Sequence, residues 1–374
     1  MNLICIAIII TISLAGCSFG TSFPDWQSRS LEQNSDGQDN ASNQSSPEQD
    51  NALEQNSPEQ SPHPANSLFC ESLKPSSPLS LQSNSPSSAL PINHSYIKGI
   101  WLAYNEYPAL LSGDFKNNIT AYFKNEKAKG INTVFVHASA HNDAFYNSNL
   151  FEKAYSGDFD MLEIMLTEAH KLGLSVQAWI NPLRTKDSWL DPNKPDVINS
   201  VKAKVQEIIS KYDVDGIHID DYFYPKIEND THTDAQKISA INELVKTIRD
   251  TVKSHNKNLV FSISPAGNIS NNLTKNFADV QYWFDNNFAD IIIPQLYYGF
   301  ENQYLPFDKA LTKWLDMAKN SEVRLAIGLA EYKQGKTDTN AGTGANEWVE
   351  KTDIIKRQIV LLEKNKAVSG YVCF

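Results

Sequence analysis

Between Ile97 and Phe374 the chain carries eight short, β-branched apolar runs, and their spacing constrains the fold more than any other feature. The runs are Gly99–Tyr104, Ile131–His137, Leu174–Ile180, Val214–Asp220, Leu259–Ser264, Asp290–Gln295, Val323–Leu329 and Ser369–Cys373. They are continuously apolar rather than alternating, the pattern of parallel strands covered on both faces. The stretches between them have helical period. In Asp160–Leu172, residues Met161, Leu162, Met165, Leu166 and Ala169 share one face and Gly173 follows; in Val197–Tyr212, Val201, Val205, Ile208 and Ile209 do the same. Runs begin every 30–45 residues or so, the length of one βα unit. Eight units in roughly 280 residues predict an α/β fold of the closed (β/α)8 TIM-barrel type rather than an open doubly wound sheet. No glycine-rich phosphate loop follows the first run, which argues against a dinucleotide-binding sheet. The chain reaches Phe374 directly after the eighth run, so no eighth helix is expected.

The first 92 residues have a different texture. Leu3–Leu14 is an almost unbroken apolar run leading into Leu14-Ala15-Gly16-Cys17. At about a dozen residues it is too short to span a bilayer as a stable helix, and it reads as an export signal. The small pair before Cys17 resembles the bacterial lipobox, whose cysteine is acylated and becomes the mature N-terminus. No Lys or Arg precedes the run, and a buried strand with a chance cysteine is the competing reading. Residues 18–92 are rich in Ser, Asn, Gln, Glu and Pro and repeat themselves, as at Leu31–Ser35 and Leu53–Ser57. So few apolar side chains cannot offset the entropy of ordering the backbone. A flexible spacer of this length reaches on the order of 50 Å. The expected partition is a signal over 1–17, a disordered linker over 18–92 and a barrel domain over 93–374, exported and held at the cell membrane or envelope by lipid on Cys17.

Charge and cysteines narrow the partners. The net charge is −11, and residues 18–90 hold nine Asp or Glu against two Lys or Arg. The rest is mildly acidic without a basic patch, which excludes a nucleic-acid partner. Cys5, Cys17, Cys70 and Cys373 form no metal-ligand spacing. An exported context permits a Cys70–Cys373 disulfide, and two separate thiols fit as well.

In a barrel of this kind the active site lies at the C-terminal ends of the strands. The fourth run gives the strongest signal, Asp213-Val-Asp-Gly-Ile-His-Ile-Asp-Asp-Tyr-Phe-Tyr-Pro225, with His218 inside it, two consecutive carboxylates at its end and Tyr222 following. Neighbouring strand residues point to opposite faces, so Asp220 and Asp221 reach the mouth together only if the strand ends between them. A carboxylate at such a tip is placed to attack or stabilise a positively charged anomeric carbon. The third run ends in Trp179, Asn181 and Arg184: two groups of donors, and a ring that serves either as a sugar platform or as core. Gln295 and Tyr297 end the sixth run, Glu331 the seventh. At the second, His137 is expected as a hydrogen-bonding wall, with Asp143 nearby. His137 and His141 alone, without a third ligand, make a weak metal signal. No metal or other cofactor is expected.

Taken together, six segments resemble the glycosyl hydrolase-like 10 family of bacterial lipoproteins, formerly a domain of unknown function numbered 187. They are Lys98–Leu102, Gly130–Val136, Ala169–Leu174 with Ala178–Pro182, Tyr212–Phe223, Ser262–Pro265 with Asn268, and Ile293–Tyr297. The resemblance implies a fold like that of the α-amylase and α-galactosidase barrels, and a cell-envelope enzyme cutting peptidoglycan glycan strands stripped of stem peptides. Gly216-x-x-x-Asp220 matches the pattern in which the fourth-strand aspartate is the nucleophile. His218 stands where those barrels usually carry an arginine. Ser264 and Pro265 occupy the place of their acid/base glutamate, which leaves Glu331, then Asp221, then Asp143 as candidate proton donors. His137-Ala-Ser-Ala140 departs from the Gln-x-Arg-Pro of relatives. The expected chemistry is hydrolysis of a glycosidic bond by two carboxylates. Two readings compete with it: a carbohydrate-binding barrel without catalysis, and a metal-dependent polysaccharide deacetylase. In the latter family the Asp-Asp pair precedes the histidines, whereas here His137 comes first.

Overall fold

The computed structural model describes residues 90–374. The signal, Cys5, Cys17, Cys70 and nearly all of the linker lie outside the described residues. All eight runs form strands: β1 Ile97–Leu102, β2 Thr133–Ser139, β3 Ser175–Ile180, β4 Gly216–Ile219, β5 Val260–Ile263, β6 Ile291–Ile292, β7 Arg324–Leu329 and β8 Val368–Cys373. They pair in parallel and in sequence order, and β8 closes on β1 with Ile97 opposite Gly370. The expected TIM barrel is the observed fold.

The crossover helices form where the period placed them. Met161–Lys171 is capped by Asp160, whose carboxylate accepts the Glu163 N–H, and it buries Met161, Leu162, Met165, Leu166 and Ala169. Gly173 follows in the left-handed region at φ 66°. Pro195–Lys211 opens on a proline, which forfeits no intrahelical bond at that position. Strand β6 is shorter than predicted. Pro294 has no N–H for the ladder, so pairing continues only through single bridges of Gln295 to Ala266 and Gly328.

Alternation divides each strand between two cores. One set packs under the helices, while Ile97, Trp101, Phe135, Trp179, Val260, Ile291, Ile293, Ala326 and Val372 pack together in the bore. A polar chain is threaded through the bore. The Trp101 indole N–H donates to Nε2 of His218 (3.0 Å), so the ring proton sits on Nδ1 and is donated to Ser262 Oγ (2.8 Å). The Ser262 hydroxyl in turn donates to Gln177 (2.5 Å). Burial lowers the His218 pKa to about 3, so this ring is a neutral strut.

The incoming segment is pinned to the opposite, N-terminal end of the barrel. Asp215, just before β4, accepts the N–H groups of Ile92 (2.6 Å) and Val176 (2.7 Å) and pairs with His170 Nε2 (2.9 Å). Arg324, the first residue of β7, donates to the carbonyls of His94 and Ser95. An Asp215→Ala variant leaves the buried Val176 N–H without an acceptor and should lose about 2–4 kcal/mol of stability, read as a lower midpoint in urea. An unchanged midpoint would show that this anchor carries no load.

Candidate active site

The mouth at the C-terminal strand ends holds a pocket lined from the tips of β1 to β6 and of β8. Its floor follows from the alternation that fills the bore. On β4 the inward positions are Gly216, His218 and then Asp220, and Asp220 is 5% exposed. The strand ends at Ile219 and the chain bends at Asp221, where the Phe223 N–H bonds back to the Asp221 carbonyl (2.9 Å). That bend satisfies the condition set by the sequence: both carboxylates line the pocket.

Asp220 is held by a relay with one consistent assignment of protons. The Tyr104 N–H donates to His137 Nδ1 (3.1 Å), which leaves the proton on Nε2 for Asn181 Oδ1 (2.6 Å). The Asn181 amide then faces Asp220 with its nitrogen, 3.0 Å from Oδ1 and 2.9 Å from Oδ2. Trp179 stacks on His137 at 3.4 Å between ring centroids, so it is both pocket wall and core. Burial, and next the neighbouring Asp221 charge, raise the Asp220 carboxyl well above the usual aspartate range, against the pull of the Asn181 amide.

The remaining walls are aromatic and amide. Arg184 lies over the Tyr222 ring (5.1 Å), and Trp189 packs against the other residues of that wall through Tyr222 (5.6 Å). Gln295 is drawn in because Gly267 and Gly328 let the backbones close around it: a Cβ on Gly267 would run into its carbonyl. Its amide donates to the Ser264 carbonyl (3.1 Å). Tyr297 stacks with Phe374 (6.4 Å), and Phe374 meets the edge of Trp101.

Against this geometry the profile of the glycosyl hydrolase-like 10 family matches residues 183–239 and 227–344, across the β4 tip and the rim to beyond β7. The glycosyl hydrolase DigH of Escherichia coli (strain K12) is 26% identical in an alignment covering 74% of this chain and 82% of that protein. Over residues 183–344 the chain matches the glycosyl hydrolase-like 10 family. The glycosyl hydrolase YngK of Bacillus subtilis (strain 168) is 25% identical over 74% of this chain and 68% of that protein. Among solved structures, the PgaB (BpsB) glycoside hydrolase domain from Bordetella bronchiseptica superposes with a TM-score of 0.52 at 12% identity, covering 75% of this chain and 94% of that one. An endo-1,4-β-mannanase from Rhizomucor miehei gives 0.50 at 10% identity over 77% and 89%. At such identities the structures speak for the fold, and with the family they make this a glycosidase-type barrel.

The pocket gathers Asp220, Asp221, His137, Trp179, Asn181, Arg184, Tyr222, Gln295 and Tyr297 from the residues picked out by sequence. Three others fall outside its lining. Asp143 folds back on its own loop and accepts the Ala140 and His141 N–H groups. His218 lies one layer below, in the bore. Glu331 begins a 3-10 turn after Ala330 and is exposed, and its charge is felt by Tyr122, Lys129 and Cys373 rather than by the pocket. Glu331→Gln should therefore leave kcat/KM within about twofold, and a loss of 100-fold or more would return it to the chemistry. Cys373, buried at the end of β8, has no disulfide partner among the described residues. Both ring nitrogens of His137 are committed within the relay, so it offers no lone pair for a metal shared with His141. Among the described residues, no three His, Cys, Asp or Glu side chains are arranged to hold one. Sequence reading missed Trp101, Tyr104 and Phe374 as walls; the first run's Trp at an inward tip position was the available signal.

Proposed function

We propose that this protein hydrolyses glycosidic bonds in a cell-envelope polysaccharide, the glycan strands of peptidoglycan, with Asp220 presenting negative charge to the anomeric carbon and Asp221 carrying the proton. The observation that supports it is the pair of carboxylates at the β4 tip, on the floor of an aromatic-walled pocket in a glycosidase-family barrel. A raised carboxyl beside a second carboxylate can supply an acid and a base from two identical side chains. Asn181 and His137 orient Asp220, while Arg184, Gln295 and the tyrosines meet hydroxyls and ring faces.

The proposal extends to placement. Lipid on Cys17 would hold the protein at a membrane, and the chain enters the barrel at Ile92–Ser95, at the end opposite the pocket. The mouth would then face away from the anchor, toward the wall. Two measurements test these parts. Full-length protein incubated with peptide-free glycan strands, intact peptidoglycan and chitin oligosaccharides should release short fragments from the first, and cleavage of only the others would refute the substrate. Labelled palmitate should enter the parent protein in cells and not a Cys17→Ala variant; equal labelling would refute the anchor.

A further inference from the structure

The second carboxylate of this site is in an unusual place for a pair acting as nucleophile and acid. In a double displacement the nucleophile lies beneath the anomeric carbon, on the face opposite the leaving group, while the acid lies beside the glycosidic oxygen. Here Asp220 and Asp221 are consecutive, their α-carbons about 3.8 Å apart on the tip of one strand. Both therefore belong to one wall. Among the described residues no other strand brings a carboxylate into the pocket lining. The rest of the lining includes Trp101 and Phe374, which carry no nucleophile, and Tyr297, whose buried hydroxyl is pushed up above the usual phenol range and stays neutral. Asp220 is also poorly disposed as a nucleophile, since both its oxygens already lie within 3.0 Å of the Asn181 amide nitrogen at the buried floor. A carboxylate so held is suited to accept a further N–H.

We propose that the attacking group is the substrate's own 2-acetamido oxygen, with Asp220 accepting the amide N–H and Asp221 as the acid, so that the site acts on 2-acetamido-2-deoxy sugars. This rests on the glycosidase reading above. In the first step the acetamido carbonyl oxygen forms a bond to C1. The bond from C1 to the leaving oxygen breaks, and that oxygen takes the Asp221 proton. The product is an oxazolinium whose N–H is held by Asp220. In the second step Asp221 removes a proton from water, the water oxygen bonds to C1, and the ring bond opens to restore the acetamido group. The sum is hydrolysis with retention, and Asp221 ends protonated as it began. The neighbouring aromatic wall of Trp101, Trp179 and Tyr297, each under a tenth exposed, offers an apolar place for the acetamido methyl.

The test uses the full protein and peptide-free glycan strands that have been de-N-acetylated and then re-acylated with either acetyl or trifluoroacetyl groups. Fluorine withdraws electrons from the attacking oxygen, so the trifluoroacetyl strands should be cut at least about 100-fold more slowly, and the free-amine strands not at all. The first-formed reducing ends should retain configuration by NMR, and a bicyclic thiazoline mimic of the intermediate should bind in calorimetry. Equal cleavage of all three strands, inversion, or a glycosyl group trapped on Asp220 by a 2-fluoro sugar would overturn the proposal and leave the hydrolase standing. No cleavage of any strand, with the thiazoline unbound, would overturn the hydrolase reading itself.

Discussion

Asp220→Asn should lower kcat by about 10³-fold or more on glycan strands while leaving the protein folded and able to bind glycan. The amide is nearly isosteric and the Asn181 contact can be kept by rotating one group, so what is lost is the negative charge at the floor of the pocket. Stability separates this from misfolding. The folded protein raises the Asp220 carboxyl, so between the ordinary aspartate range and that raised value it binds a proton that the unfolded chain has released. Stability therefore falls as pH rises through this window and stays reduced above it. Asp220→Asn removes that penalty. Its melting temperature should equal the parent's in acid and exceed it at mildly alkaline pH. A variant that melts lower than the parent at alkaline pH would contradict the buried, raised carboxyl.

Asp221→Asn should be nearly as damaging, about 10²–10⁴-fold in kcat, and its signature should be a dependence on the leaving group. Substrates with good leaving groups need no proton and should lose least. The parent's rate should fall on the alkaline side as the β4 tip loses its proton, at a pH above the usual carboxylate range because burial and the neighbouring charge raise the Asp220 carboxyl. With Asp221 replaced, that limb should disappear, because the proton donor is gone. Measuring kcat against pH for both proteins on glycan strands and on an aryl glycoside checks each part. A uniform loss across leaving groups, with the alkaline limb kept, would assign the proton to another residue.

The barrel was legible because parallel strands covered on both faces leave continuous apolar runs, and all eight runs became strands. Their ends were less legible. At β6 the decisive fact was the missing N–H of Pro294, which cuts the ladder to Ile291–Ile292. Asp220 was legible as a carboxylate at the tip of an apolar run, in the spacing Gly216-x-x-x-Asp220. The direction of Asp221 was not, since it depends on a bend that no periodicity encodes. The same limit explains Glu331: it follows the β7 apolar run in sequence, but a 3-10 turn after Ala330 carries it to the outer surface. The relay of Tyr104, His137 and Asn181 is a tertiary fact, joining β1, β2 and β3 through a ring whose tautomer is set by a backbone N–H. His137 and Asn181 were visible as polar residues at strand tips, but their turn toward Asp220 was not. His218 was visible as the residue in place of an arginine, yet only the bore shows that it braces Trp101 from below.

If the β4 carboxylates cut a glycosidic bond with water, the water oxygen must end on the new reducing end. The direct measurement is incubation of the full protein with peptide-free glycan strands in ¹⁸O-labelled water, beside Asp220→Asn and Asp221→Asn, with fragments read by mass spectrometry. The expected result is shortened strands from the parent carrying one ¹⁸O at each new reducing end, and essentially none from either variant. Fragments released equally by Asp220→Asn, or a folded parent that binds glycan and never shortens it, would contradict the account, the latter leaving a carbohydrate-binding barrel in its place.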